Sequence, residues 1–227
     1  MNKWERLGVA TVPGGGGVMD LYKRGDELAI RVDSRELMSS RVHGSEDALA
    51  EMAWLRVTGP APRRMLVGGL GMGFTLAAAL KGAGPDDEVV VAELVPEVIQ
   101  WNRGVIGPVA GHPLNDPRAK VHQGDVGEAI RADHGVWDAI LLDVDNGPVG
   151  LTRPANDALY NWNGLDAARL ALKKNGVLAV WSAAPDAAFG RRFAKIGFDV
   201  DEVTVRARGA KGGRKHTIWF GTRIEIY

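Results

Sequence analysis

Residues 65–73 read Met-Leu-Val-Gly-Gly-Leu-Gly-Met-Gly, and a helix-like stretch from Phe74 follows at once. Few folds accommodate such a run. Its glycines, Gly68, Gly69, Gly71 and Gly73, close a short apolar strand with a tight turn and let backbone approach a ligand where side chains would obstruct it. Twenty residues beyond Gly73 a second apolar run, Val89–Ala92, ends in Glu93. A glycine turn followed by an acid at the end of the next strand is the pattern of a nucleoside-binding α/β domain, the carboxylate accepting the ribose hydroxyls. No Lys-Ser/Thr pair follows the glycines, so this is not the phosphate cradle of nucleoside triphosphatases.

The chain around this turn divides into three parts. Over residues 1–43 the short β-like runs Leu7–Val12, Val18–Tyr22 and Leu28–Val32 are broken by Gly14–Gly17 and by Arg24-Gly25-Asp26, which predicts a small antiparallel sheet of two or three strands. Residues 44–62 hold a linking helix, from an N-cap at Ser45 to about Val57, and a Gly59-Pro60-Ala61-Pro62 break. Over residues 63–227 strands and helices alternate. The strands are expected at Met65–Val67, Val89–Ala92, Lys120–His122, Trp137–Leu142, Val177–Trp181, Phe198–Val205 and His216–Gly221. The helices are expected at Phe74–Lys81, Val95–Arg103, Gly127–Arg131, Asn156–Leu172 and Asp186–Lys195, with Lys173-Lys174-Asn175-Gly176 as a basic helix end and stop. Such alternation implies a mostly parallel sheet covered on both faces. The last two strands, joined only through Gly209–Gly213, imply an antiparallel hairpin at one edge. That ending resembles the S-adenosylmethionine-dependent methyltransferase fold rather than a plain dinucleotide-binding domain.

Bulk properties narrow the function. Lys and Arg together number 28, as do Asp and Glu, so the net charge is zero, which argues against nucleic acid or a membrane surface as partner. The absence of cysteine excludes disulfides, thiolate catalysis and cysteine-ligated metal. No apolar stretch reaches the length of a membrane span and no signal-peptide core follows the charged start, so a cytoplasmic setting is expected. The five histidines, His43, His112, His122, His134 and His216, have no metal-ligand spacing and read as structural or surface residues; no metal is expected.

Three acids fall at the carboxyl ends of successive strands, where open α/β sheets bind ligands. Glu93 suits a ribose. Asp125, in His122-Gln-Gly-Asp125, either accepts from an adenine amino group or caps the next helix, or does both. Asp143 closes the run Asp138-Ala-Ile-Leu-Leu-Asp143, with Asp145 and Asn146 on the loop above, while Asp138 at the far end faces solvent. Paired carboxylates at that place bind a cationic group, take a proton from a nucleophile or hold a metal, and the lack of a histidine close in sequence puts the metal last. Tyr160 and Trp162 either wall an acceptor pocket or fill the core.

Together these motifs resemble the spermidine synthase family, the aminopropyltransferases built on the methyltransferase fold. The resemblance takes in the N-terminal β region, the loop Gly68–Gly73, Val91-Ala-Glu93-Leu-Val-Pro-Glu97, Asn115-Asp-Pro-Arg118 through Asp125, Trp137 through Asp143, and Leu159-Tyr160. It implies that Glu93 holds the ribose, Asp125 the adenine, and Asp143 sits by the sulfonium and the attacking amine. Asp145 and Tyr160 complete the expected catalytic set. The co-substrate implied is S-adenosylmethionine or its decarboxylated form. A homodimer is expected, because the N-terminal sheet is too small to stand alone and must pack on the main domain or a second subunit.

Four departures matter. Gly71 stands where the family usually has an aspartate that binds the aminopropyl amine. Val144, Asp145 and Asn146 displace the usual second carboxylate by one place. Leu49-Ala50-Glu51 replaces a Tyr-His-Glu stretch around the polyamine site. Residues 206–215, with five basic side chains, replace a Tyr/Pro-rich substrate loop. The resemblance implies aminopropyl transfer to a small nucleophile, and this reading leads. The lost loop acid favours methyl transfer as the alternative, and the basic segment, unless it is only a solvated hairpin at a sheet edge, suits a neutral or anionic small-molecule acceptor. A non-catalytic adenosyl-binding module and an RNA methyltransferase using the basic loop are the others.

Overall fold

The computed structural model describes residues 3–144 and 157–225. The first four strands, β1 (Glu5–Thr11), β2 (Val18–Arg24), β3 (Glu27–Val32) and β4 (Arg35–Ser39), form an antiparallel sheet in chain order. The Gly25-Asp26 hairpin is where the sequence places it. Strand β4 is an addition to the two or three strands expected. Its two-residue turn runs through Asp33 and Ser34, at φ 46° and 69°, so a left-handed hairpin turn is made here without the glycine that would have announced it.

Helix α1 (Gly44–Trp54) leads to β5 (Arg64–Gly68), after which strand and helix alternate: α2 (Phe74–Gly82), β6 (Glu88–Glu93), α3 (Pro96–Arg103), β7 (Ala119–Gln123), α4 (Val126–Ala132) and β8 (Trp137–Leu142). Beyond the undescribed stretch come α5 (Asp157–Tyr160), α6 (Trp162–Ala171), β9 (Leu172–Ser182), α7 (Ala187–Lys195), β10 (Phe198–Arg206) and β11 (Lys215–Arg223). The second sheet has the order β10-β11-β9-β8-β5-β6-β7. Only β11 runs against its neighbours, as the expected hairpin requires.

Both faces of this sheet are buried, and period-two alternation sorts its side chains. Met65, Val67, Ala139 and Leu141 point to a core shared with Leu49, Leu76, Ile99 and the inner face of the N-terminal sheet, Leu21, Ile30 and Val32. Leu66, Ile140 and Leu142 face α4, α6 and α7 through Ile130, Leu165, Phe189 and Phe193. The N-terminal sheet thus packs on the main sheet of its own chain. Among the described residues no helix is long and apolar enough to cross a membrane.

Four local readings need correction. Ser45 is not the cap of α1. His43 occupies that position without a side-chain bond to the helix amides, and Ser45 lies buried inside the first turn. The long helix expected over 156–172 breaks at Asn161, whose Oδ1 accepts from the Gly164 amide at 3.0 Å and starts a second helix. Lys173 to Gly176 belong to β9, not to a helix end. Asp138 does not face solvent: it is 5% exposed and its Oδ2 accepts from Lys173 Nζ at 2.7 Å and from the Arg64 amide at 2.8 Å. A lysine placed for a helix dipole is instead the partner of a buried acid.

Candidate active site

The carboxyl edge of the main sheet opens on a cavity of about 540 Å³, roofed by the N-terminal sheet through Val12, Met19, Ile30, Leu37 and Met38. That size falls in the usual range for small-molecule sites. Three strands fix its floor. The Gly69 amide donates to the Ala92 carbonyl (2.9 Å) and the Asp143 amide to the Gly68 carbonyl (3.1 Å), stitching the glycine loop to β6 and β8. Gly69 has φ 89°, and a Cβ there would sit 2.7 Å from the Asp143 carbonyl oxygen, so the turn admits no side chain.

Glu93, at the end of β6, is 8% exposed and lines the cavity. Its Oε2 accepts from the Leu70 amide at 3.0 Å and its Oε1 from the Val95 amide at 2.8 Å. Burial pushes its carboxyl above the ordinary value, and the amides of Val95, Leu70, Gly71 and Leu94 oppose that. Asp125 is the cap of α4, its Oδ1 accepting from the Gly127 amide at 2.7 Å, and the residue also lines the cavity.

Asp143 stands at the centre of this edge, where its Oδ2 accepts from Thr75 Oγ1 at 2.6 Å. Burial raises its pKa to about 6, with the Thr75 hydroxyl opposing. A residue the sequence did not single out faces it. Glu46, in the first turn of α1, also lines the cavity, and its pKa is raised to about 7 by burial first and the charge of Asp143 second. Ser45 Oγ donates to Glu46 Oε2 at 2.6 Å and accepts from His216 Nδ1 at 2.9 Å. Near neutral pH the two acids share about one proton, leaving one carboxylate to receive a cation or another proton. Glu46 escaped notice because an acid in a first helical turn already satisfies the helix dipole. His216, read as structural, is on the cavity wall, its pKa lowered by burial and by Arg214.

The structure does not gather every expected residue. Tyr160 is 2% exposed, is not on the cavity wall, and donates from its hydroxyl to the Val144 carbonyl at 3.3 Å. It packs edge-on against Phe189 as a core aromatic, beside the backbone of Val144. Trp162 is half exposed and neither walls the cavity nor fills the core. Asp145 and Asn146 lie outside the described residues. Among those described, no group of three His, Asp or Glu residues is placed to hold a metal. The 206–215 segment does reach the cavity, contributing Ala207, Arg208, Gly213 and Arg214.

A sheet of this order, with a glycine loop and acids along its carboxyl edge, defines the Rossmann-like methyltransferase fold. With the roofing N-terminal sheet added, the chain has the fold of the spermidine synthases. It matches the spermidine synthase of Thermotoga maritima with a TM-score of 0.77 at 20% identity, over 96% of this chain and 73% of that one. A spermidine synthase in complex with the transition-state analogue AdoDATO gives 0.75 at 18% identity, over 96% and 72%. A probable spermidine synthase from Corynebacterium glutamicum gives 0.67 at 16%, over 97% and 81%. In sequence the chain is 31% identical over 120 residues to putrescine N-methyltransferase 1 of Nicotiana tabacum, a match spanning 52% of this chain and 30% of that protein. The same identity holds for putrescine N-methyltransferase 1 of Nicotiana attenuata, over 29% of its length. The matched segment is therefore less than a third of these relatives. No family model matches.

Proposed function

We propose that the protein is a transferase that moves an alkyl group from an adenosyl sulfonium to an amine of a small acceptor, with S-adenosylmethionine as donor and methyl as the group moved. The observation that carries this reading is the arrangement on one cavity floor of Glu93, the glycine loop and Asp143, in that order across β6, β5 and β8. Glu93 would accept the ribose hydroxyls and Asp125 the adenine amino group, with the loop passing beneath the tail. The bound donor supplies a carbon already activated by positive sulfur.

The chain's own work is then positioning and proton handling. Asp143 and Glu46 draw the acceptor ammonium into line and take the proton that frees its lone pair. The nitrogen–carbon bond forms as the carbon–sulfur bond breaks, and the electron pair of that bond stays on sulfur as a thioether. The second proton of the new ammonium leaves to the same acids or to water. Methyl is preferred over aminopropyl because of what stands at Gly71. A Cβ there would lie 2.8 Å from Met38 Cε, so a thioether side chain covers the position that carries an acid in the spermidine synthase family. A decarboxylated tail is a bare cation and needs that acid, whereas the tail of S-adenosylmethionine is a zwitterion that backbone groups can hold.

Aminopropyl transfer is the second reading, supported by the overall likeness to spermidine synthases. Calorimetric titration separates the two. S-adenosylmethionine and methylthioadenosine are expected to bind at micromolar levels and the decarboxylated donor at least tenfold more weakly. Absence of binding below millimolar for all three would remove the adenosyl reading, and preference for the decarboxylated donor would restore aminopropyl transfer.

A further inference from the structure

The cavity carries two kinds of charge, and they are segregated. Along the sheet edge the order runs from Asp125 (β7) and Glu93 (β6), past the glycine loop (β5), to Asp143 (β8), then Trp181 (β9), and last the loop between β10 and β11 with Arg208 and Arg214. The donor reading uses the first half. The second half begins with the Asp143–Glu46 acids and ends with Arg208 and Arg214, exposed residues whose loop lines the cavity. Neither Arg208 nor Arg214 is in an ion pair among the described residues; the other acid on the wall, Glu36, comes from β4 in the roof.

The loop bearing these arginines is built into the site. The Gly44 amide, at the start of α1, donates to the Ala207 carbonyl at 2.8 Å, so the same helix that carries Glu46 anchors the arginine loop. The loop closes on itself through Ala207 amide to Arg214 carbonyl (2.9 Å) and Arg208 amide to Gly212 carbonyl (2.9 Å), which holds both arginines in one short loop. Arg214 is close enough to His216 to lower its pKa. Trp181, on the wall beneath them and packed edge-on to His216, has a buried indole N–H without a partner among the described residues. From β8 to β11 is two strand spacings, roughly 10 Å.

We propose that the acceptor is an ω-amino acid rather than a diamine: its amine at Asp143 and Glu46, its carboxylate between Arg208 and Arg214. This rests on the transferase reading for its amine end. A diamine would bring its second ammonium to two arginines and be repelled. A carboxylate there gains charge-assisted hydrogen bonds from planar forks suited to it. The reaction is unchanged, since the carboxylate only anchors, and the product is an N-alkylated amino acid plus the adenosyl thioether.

Two four-methylene probes test this, putrescine and δ-aminovalerate, which differ in one terminal group. Their binding is measured by calorimetry on the full chain, alone and with methylthioadenosine, and kcat and KM are then measured with S-adenosylmethionine. δ-Aminovalerate is expected to bind at least tenfold more tightly than putrescine. The double variant Arg208→Gln/Arg214→Gln is expected to cut the ratio of the two affinities at least tenfold, acting on KM more than kcat. Circular dichroism checks that the double variant is folded, and the single variants each give a smaller loss. Equal or tighter putrescine binding overturns the proposal, as does a ratio the double variant leaves unmoved. So does a variant that weakens S-adenosylmethionine but not methylthioadenosine, for the arginines would then hold the donor's carboxylate. Loss of all adenosyl binding alongside an intact δ-aminovalerate preference would instead sink the transferase reading, overturning the acceptor role and leaving only an ω-amino-acid binding site.

Discussion

The acid pair decides what single substitutions should do. Asp143→Asn keeps the shape and an acceptor for Thr75 Oγ1 but cannot take a proton. Turnover is expected to fall on the order of 10²–10⁴-fold, the usual worth of a positioned base, with methylthioadenosine affinity changed less than a few-fold. In the unmodified protein kcat/KM should rise with pH across the window set by the pair, about 6 to about 7, as the acids lose the protons that block them. That limb should disappear in Asp143→Asn/Glu46→Gln, and a profile the double variant leaves unchanged would take both acids out of the proton path. The same shifts bear on stability. Both acids have folded pKa values above their unfolded ones, so the folded state binds more protons and stability is lost as pH rises through about 6 to 7. Asp143→Asn should therefore stabilise the fold at pH 8, on the order of 1 kcal/mol, and have little effect near pH 4, which thermal melts at the two pH values would show. Glu93 and Asp125 were legible because each ends a strand that reads as a strand. Glu46 was not, because its partner is 97 positions away and nothing in the local sequence of α1 points to Asp143.

At the scale of elements, the buried parallel strands were the readable part. Met65–Val67, Val89–Ala92 and Ala139–Leu142 are continuous apolar runs because both faces of that sheet are covered, and all three lie in strands. Several misreadings share a cause, a local rule overridden by a distant partner, whereas the break at Asn161 is a local cap on the Gly164 amide. Lys173 and Lys174 look like a helix end, yet Lys173 is drawn into β9 by Asp138, and Arg169 takes the place in the last turn of α6. The contact of α1 with the β10–β11 loop is likewise invisible in either segment alone. It depends on Gly44: a Cβ there would run into the backbone of Arg208 and Gly209. Gly44→Val should push the loop off the helix. The expected outcome is a KM for the acceptor raised at least tenfold with donor affinity little changed, read by steady-state kinetics and a methylthioadenosine titration. Equal loss of both would mean that the substitution acts on the fold as a whole.

For the whole molecule the question is whether the N-terminal sheet is an attachment or part of one cooperative unit. Its residues were set apart in the sequence by composition and by short runs, yet its inner face is continuous with the main core. Leu21, fully buried in β2, belongs to the same apolar cluster as Met65, Val67 and Val91 at the centre of the parallel sheet. The sheet is also the roof of the cavity, so donor binding and roof stability are linked: a ligand that binds only the closed cavity stabilises whatever closes it. Leu21→Ala removes buried methyl groups and should cost about 2–5 kcal/mol. If the two sheets unfold together, amide exchange should speed up by a similar factor in β2, β3, β5 and β6, and a single urea transition should move without splitting. Methylthioadenosine should slow exchange in β2 to β4 as well as in the glycine loop, although the adenosyl contacts proposed for Glu93 and Asp125 lie on the other sheet. Fast exchange confined to β1–β4, with β5 and β6 unaffected, would show that the roof opens by itself and that the cavity is closed by ligand rather than by the fold.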